Sequence, residues 1–359
     1  MGDAIEQQRP KSRRVRTALA AGGSTIVGLL LAELCLRWWV APTVLLDPAS
    51  DAWWRASFRA SPGLAADIEP DARLGWRMRR GFQAPGVTHD AAGHRVTPLS
   101  APIDASRAPI VALGDSFTYG LGVRDEETWP ARLAAALPGR AVSSLAANGH
   151  GLDQQVLAFE GEGVAQAPGL VILGYFLDDF RRNGLSFREG PKPRFVLDGG
   201  ELRLEGEVVP SPDEAREELS ETNEIGSYLV TGVRALVRRV EGRRGAFHSD
   251  AEFAAHAELS ERLLERLAKD VRGSGAQLLV ITIPHCSYEG YRDAARIESA
   301  IQSSCTKLGI PCLSTTDECR RAESAGVRMF GDNCHWSAAG HARIAEFVRA
   351  RCPELGIRL

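Results

Sequence analysis

The chain has 359 residues, 44% hydrophobic and 25% charged, which is enough to bury a core in one large domain or in a medium domain with attachments. A net charge of −3 gives no bulk basic field of the kind that marks a nucleic-acid binder, so no nucleic-acid partner is expected. No internal repeat or low-complexity tract is visible.

In chain order, the first feature is a run of basic residues, Arg9, Lys11, Arg13, Arg14 and Arg16, ahead of TALAAGGSTIVGLLLAELCL at 17–36, whose ionisable groups are Glu33 and Cys35. Roughly 20 apolar residues match the thickness of a bilayer core. The basic flank predicts a cytoplasmic N-terminus with everything downstream outside. Arg37, four residues past Glu33, can pair with it near the far interface, and Trp38, Trp39, Trp53 and Trp54 suit an interfacial aromatic belt. A cleaved signal peptide wants a shorter apolar core and a small-x-small site. A lipoprotein signal wants small residues where Glu33 and Leu34 precede Cys35. Ser12-Arg13-Arg14 is a faint twin-arginine match, with Arg16 where an apolar residue is usual. A buried soluble helix fits the basic flank poorly. The reading taken is an uncleaved anchor: 1–40 as basic stub and transmembrane helix, 41–107 as linker and N-terminal extension, and 108–359 as the main domain with an insertion at about 180–275.

Within the main domain, PIVALGD (109–115) reads as a short buried strand. EETWPARLAAAL (126–137) reads as a helix, with Asp125 as its cap and Pro130 in its first turns. AVSSLA, LDQQVLAFEGEGVA and GLVILGYF (169–176) then read as strand, helix and strand. RFVLDGGELRLEGEVV (194–209) alternates around an Asp-Gly-Gly turn and predicts a hairpin, followed by helical pattern over 213–240 and 251–273. AQLLVITIPH (276–285) and IPCLST (310–315) are the last strands. A final helix over 337–352 carries Ile344, Phe347 and Val348 on one face. Alternating strands and helices predict a parallel sheet covered on both faces, with ligands bound beyond the carboxyl ends of its strands.

At those ends stand Ser116 after the first strand, AANGHG (146–151) after the second and Leu177-Asp178-Asp179 after the third, with GDNCHWSAAGH (331–341) before the last helix. Serine needs a base to become a nucleophile, and His335 is the candidate. Asp332, three residues earlier, is placed to hold the imidazole, and Gly149 and the Ser116 N–H are candidate oxyanion donors. Each motif alone is more often a turn or a cap; together they point to acyl transfer. His150 either lines the site or caps a turn, and Arg181 and Arg182 either meet an anionic substrate or are solvated.

GDSFTYGLGV, AANGHGLDQQ and DNCHWSAAGH resemble the first, second and last blocks of the SGNH (GDSL-type) hydrolases over about 109–352. LGWRMRRG and DAAGHRV (74–96), with KPRFVL, resemble a membrane-anchored bacterial subgroup. The resemblance implies a three-layer α/β/α, flavodoxin-like parallel sheet and cofactor-free ester chemistry, with Ser116, His335 and Asp332 as triad and Ser116 and Gly149 in the oxyanion hole. One block departs. Asp178 stands where an asparagine would donate to the oxyanion, and an ionised carboxylate accepts but does not donate. A protonated Asp178, a substitute Asn183 and a degenerate binding site are three ways to accommodate it.

The expected function is therefore a serine esterase in the bacterial inner membrane, single-pass, with its catalytic domain on the periplasmic side. Its partner would be an ester-bearing small molecule, lipid or envelope glycan. The alternatives are an O-acyltransferase of an envelope polysaccharide and a non-catalytic envelope binding protein. Cys286, Cys305, Cys312, Cys319, Cys334 and Cys352 crowd the last quarter of the chain; a disulfide set is preferred over zinc because no tight Cys-x-x-Cys pair occurs.

Overall fold

The computed structural model describes residues 10–61, 63–98, 101–241, 247, 249–287 and 293–359. Arg9 lies outside the described residues, and the side chains of Lys11, Arg13 and Arg14 are not described. Five strands form one parallel sheet: β1 Ile110–Gly114, β2 Val142–Ser144, β3 Leu170–Phe176, β4 Gln277–Ile283 and β5 Cys312–Ser314. Their order across the sheet is β5-β4-β3-β1-β2. Every residue of β1 and β3 is buried, which explains why those segments read as unbroken apolar runs. Alternate residues serve opposite faces. Val111, Leu113, Val171, Leu173 and Val280 join one core layer, while Ile110, Ala112, Ile172, Leu279 and Ile281 join the other.

The helices include, in chain order, α1 Pro10–Trp39, α2 Asp51–Ala60, α3 Trp129–Ala136, α4 Leu152–Ala158, α5 Tyr228–Val240, α6 Asp250–Gly273, α7 Ala294–Lys307 and α8 Ala338–Arg351. Leu152, Leu263, Leu267 and Ile301 place α4, α6 and α7 on the first core layer; Trp129, Leu133, Ile344 and Val348 place α3 and α8 on the second. Phe347, expected on the same face, is partly buried beside them. Burying each such side chain is worth about 1.5–3 kcal/mol, so the two layers dominate stability. Asp125 does not cap α3. That cap is Thr128, whose hydroxyl accepts from Ala131 N, because a 3₁₀ turn at Asp125–Glu127 intervenes and Asp125 instead accepts from Arg95 Nε at 2.8 Å.

The stretch expected as a linker is folded onto the domain. Ser50 caps α2, and Asp51 accepts from Ser186 N at 2.6 Å and Phe187 N at 3.1 Å in the insertion. An antiparallel hairpin, Ile68–Asp71 with Gly75–Met78, follows. Its Trp76 is fully buried and donates through Nε1 to the Asn148 carbonyl at 2.8 Å. Gly75 sits at φ 85°, and a Cβ there would meet the Pro191 carbonyl oxygen at 2.3 Å, so glycine is required for the hairpin to seat.

From Val15 to Trp39, α1 is long and apolar enough to cross a membrane, a property that a signal sequence shares. Glu33 pairs with Arg37 at 2.8 Å as expected, and it does more. Its carboxylate accepts from Ser227 Oγ, Tyr228 N and Leu229 N at 3.0, 2.9 and 2.8 Å, so a residue of α1 caps the start of α5.

Candidate active site

The sheet order puts β2 on one side of β1 and β3 on the other, so β1 ends at a topological switch point, where open parallel sheets bind their ligands. Gly114 and Gly174 are register partners there. A Cβ on either would lie within 2.3 Å of Thr118 Oγ1, so the two glycines let the turn after β1 fold back across the sheet edge. Asp115 caps that turn by accepting from Phe117 N at 3.0 Å, and Ser116 opens a one-turn helix, Ser116–Tyr119. The first N–H of a helix has no intrahelical acceptor, which leaves the Ser116 N–H for another partner.

His335 arrives from the loop before α8, 219 residues away in sequence, and its Nε2 lies 2.8 Å from Ser116 Oγ. Its Nδ1 lies 2.9 Å from the Asn333 carbonyl oxygen, which can only accept. The hydrogen-bond network therefore assigns the proton to Nδ1 and leaves Nε2 to accept from the serine hydroxyl. Burial pushes the His335 pKa below its ordinary value, against the opposing pulls of the Asn333 carbonyl and the Asp115 charge, so the ring is held neutral and able to take a proton. Phe117 packs on the ring at 4.8 Å between centroids and fixes its plane.

Asp332 is not beside the ring. Its carboxylate is 97% exposed and pairs with Arg328, four residues earlier. The turn explains this: Asn333 Oδ1 accepts from His335 N at 3.2 Å, the Asn333 carbonyl fills the Nδ1 position, and Cys334 takes a left-handed φ of 62°. The expected Ser-His-Asp arrangement is thus, in this structure, a Ser116–His335 pair oriented by a backbone carbonyl. Asp115, fully buried, is the nearer carboxylate, with Oδ2 3.4 Å from Ser116 Oγ.

Gly149 lines the same cavity, of about 500 Å³, as Ser116 and His335. Its φ of 77° and the Glu189 Cγ at 3.0 Å from where a Cβ would stand account for glycine at this point. His150 turns inward instead: it bonds the Trp76 carbonyl through Nε2 at 3.0 Å, and burial lowers its pKa to about 4. Asp178 does face the cavity, in the expected asparagine position, and accepts from Arg182 Nε at 3.3 Å. Asn183 is no substitute, because its Oδ1 accepts from Leu152 N at 2.9 Å and its amide donates to Tyr175 Oη at 3.3 Å deep in the core. Arg181 points elsewhere, over the Phe247 ring and toward Asp293.

Arg182 is the electrostatic centre of the site. Its Nη1 donates to Asp115 at 3.0 Å and to Asp179 at 2.8 Å, besides the Asp178 bond. Burial works against its charge, but Asp179, Asp178 and Asp115 outweigh that and raise its pKa above the ordinary arginine value. Burial, followed by the Asp115 charge, pushes the Asp179 carboxyl well up. Sequence reading did not find Asp67, Ile68, Arg188 and His285, which also line the cavity. The 74–96 motifs were the one signal that the N-terminal extension takes part.

Cys286 and Cys334 are joined as a disulfide that ties the end of β4 to the turn carrying His335. The larger disulfide set does not form. Cys305, Cys319 and Cys352 are buried free thiols in the two core layers, and Cys312, partly buried against the layer that holds Cys305, is free as well. They pack as small apolar side chains. His285 adjoins the disulfide, but the two sulfurs are spent on each other rather than offered as metal ligands.

An α/β sheet with a serine and an imidazole meeting at its switch point defines a hydrolase-like architecture. The chain belongs to the GDSL-like lipase/acylhydrolase family, whose model matches residues 112–343, and is thereby an ester-acting hydrolase. Among solved structures it is similar to TesA at 14% identity, covering 69% of this chain and 99% of that one with a TM-score of 0.41. It is also similar to the acetylxylan esterase Axe2 of Geobacillus stearothermophilus, at 13% identity, 70% and 95% coverage and a TM-score of 0.40. A protein of Lactobacillus plantarum gives 16% identity, 70% and 99% coverage and 0.41. Comparison with curated proteins finds no match.

Proposed function

We propose that the chain is a membrane-anchored, extracytoplasmic serine esterase acting on acyl or acetyl esters, with Ser116 as nucleophile and His335 as general base. The observation that carries this reading is the 2.8 Å contact between Ser116 Oγ and an imidazole nitrogen whose partner nitrogen is held protonated by a carbonyl. In acylation, Ser116 Oγ attacks the ester carbon and His335 Nε2 takes the hydroxyl proton. The oxyanion that forms meets the Ser116 and Gly149 N–H groups. Collapse expels the alcohol, which leaves with the proton from Nε2, and water then attacks the acyl-serine by the reverse path to release the acid. Asp178 contributes no donor in its ionised form; Arg182, which also lines the cavity, offsets its charge. The anchored, outward-facing placement is supported by the apolar length of α1 and the basic residues before it.

The test is a panel of nitrophenyl esters of rising chain length, with labelling by a serine-directed fluorophosphonate, on the full chain and on Ser116→Ala. Hydrolysis and labelling that both vanish in the variant are expected. Equal turnover by the two proteins would remove the basis of the proposal. Adding acetylated donor with an envelope glycan reads the transferase alternative, since only that activity puts acetyl on the glycan.

A further inference from the structure

The valines of α5 are on the wrong side for a helix of a water-soluble surface. Such a helix buries its aliphatic stripe and shows water its charges. Here the side toward the body carries buried Tyr228 in the first turn and then Thr231, Gly232, Ala235 and Arg238, against the Val44–Asp47 segment and its Asp47 carboxylate. Val230, Val233, Val237 and Val240 point outward and are between 47% and 78% exposed, while Leu236 borders the cleft against Val44–Asp47. Positions 230, 233, 237 and 240 follow helical spacing and form one stripe, with exposed Arg234 on one flank. Exposed aliphatic surface on this scale marks a contact with something apolar.

We propose that this face of α5 is seated in the interfacial layer of the bilayer that α1 crosses, so that the protein holds the membrane by an in-plane helix as well as by a span. The inference rests on the anchored reading above. Its main support is depth. From Val15 to Glu33, α1 rises about 27 Å, close to the roughly 30 Å of a hydrocarbon core. Glu33 and Arg37 cannot lie deep in lipid, so the apolar slab ends near Glu33. Glu33 also caps α5, which fixes the first turn of α5 at that same level. Whatever the tilt of α5, Val230 and Val233 then lie within about 8 Å of the slab edge, the thickness of one headgroup layer. Trp38 and Trp39, exposed at the end of α1, belong to the same layer, and Arg234 suits anionic headgroups beside a buried aliphatic stripe. A second copy or a soluble partner would have to occupy space that the lipid surface already takes.

The experiment uses the full chain reconstituted into vesicles of phosphatidylcholine and phosphatidylglycerol. A bimane label is placed at Val233→Cys, Val237→Cys or Glu201→Cys in a Cys35→Ser background, with the unsubstituted background as blank. Doxyl-labelled phosphatidylcholine should quench the labels at 233 and 237 several-fold more than the label at 201, with iodide showing the reverse order. Iodide reaching 233 and 237 as readily as 201 would overturn the proposal. So would labels shielded from both quenchers in a chain that doubles in mass, since a second copy would then cover the stripe. Flotation of the same vesicles after alkaline carbonate treatment reads α1 separately. Loss of flotation refutes the anchor itself, whereas retained flotation with aqueous labels refutes the in-plane helix alone.

Discussion

Replacing Asp332 by asparagine separates two accounts of how His335 is held. If Asp332 oriented the imidazole and steadied its positive charge, the substitution would lower kcat by about 10⁴. The structure gives a different expectation. The Asp332 carboxylate is almost fully exposed and paired with an exposed Arg328, and exposed pairs of this kind contribute next to nothing measurable. The Asn333 carbonyl that fixes the Nδ1 proton is untouched by the change. Asp332→Asn should therefore keep kcat/KM for nitrophenyl acetate within about ten-fold of the unaltered chain. Asp115→Asn should cost more, because that buried carboxylate lies 3.4 Å from the Ser116 hydroxyl, raises the pKa of His335 and shares Arg182. Both variants are assayed with thermal melting as a folding control. A loss beyond about 10³ in a normally folded Asp332→Asn protein would show that the carboxylate leaves Arg328 and swings onto Nδ1 during turnover, and the carbonyl-held pair would be refuted.

Four further outcomes are expected. Asp178→Asn should raise kcat with little change in KM, by up to the 10²–10³ that one oxyanion donor supplies, measured on the same ester; a fall would mean that the Asp178–Arg182 pair itself is needed. Because His335 must be neutral and its pKa is lowered, the acid limb of the kcat/KM profile should fall below the ordinary histidine value near 6.5, and a limb above that value would contradict the burial argument. His150 and His341 are buried, with pKa values depressed to about 4 and about 3. Both bind protons in the unfolded chain before the folded one, so stability is lost as pH falls below about 6.5. At pH 5 the loss should be roughly 4 kcal/mol for the two, read by urea denaturation, and His341→Gln should flatten it. Reducing Cys286–Cys334, which closes a sequence separation of 48, should cost about 4 kcal/mol in the chain-entropy account and slow catalysis by freeing the His335 turn; unchanged activity after confirmed reduction would show that the turn holds itself.

The parallel sheet was legible because buried strands leave short apolar runs bounded by turn residues, far shorter than the apolar run of α1, and β1, β3 and β4 fall within a residue or two of their expected ends. The strand-end rule pointed to Ser116 and the 331–341 block before the last helix to His335, and the fold brings the two side chains together. The Asp332 geometry was not, because it depends on a turn in which Asn333 and a left-handed Cys334 fix the ring, and spacing cannot distinguish a carboxylate aimed inward from one aimed at Arg328. The cysteines misled for a related reason: their clustering in sequence is real, but Cys319 and Cys352 serve one core layer and Cys305 the other. The outward valines of α5 were read as ordinary helical pattern, since periodicity reports that one face is apolar and not which way it looks.

The hairpin that carries Trp76 has a consequence for where this enzyme begins. The family match starts at residue 112, yet Trp76 supports the Asn148 carbonyl beside Gly149, Leu74 supplies the carbonyl that Gln154 Nε2 reaches at 2.7 Å, and Asp67 and Ile68 wall the cavity. A fragment trimmed to the matched residues would keep Ser116 and His335 while losing the buttress behind Gly149 and one wall of the cavity. The structural unit around the cavity thus reaches back to the hairpin at residues 68–78, ahead of the stretch that the family model covers.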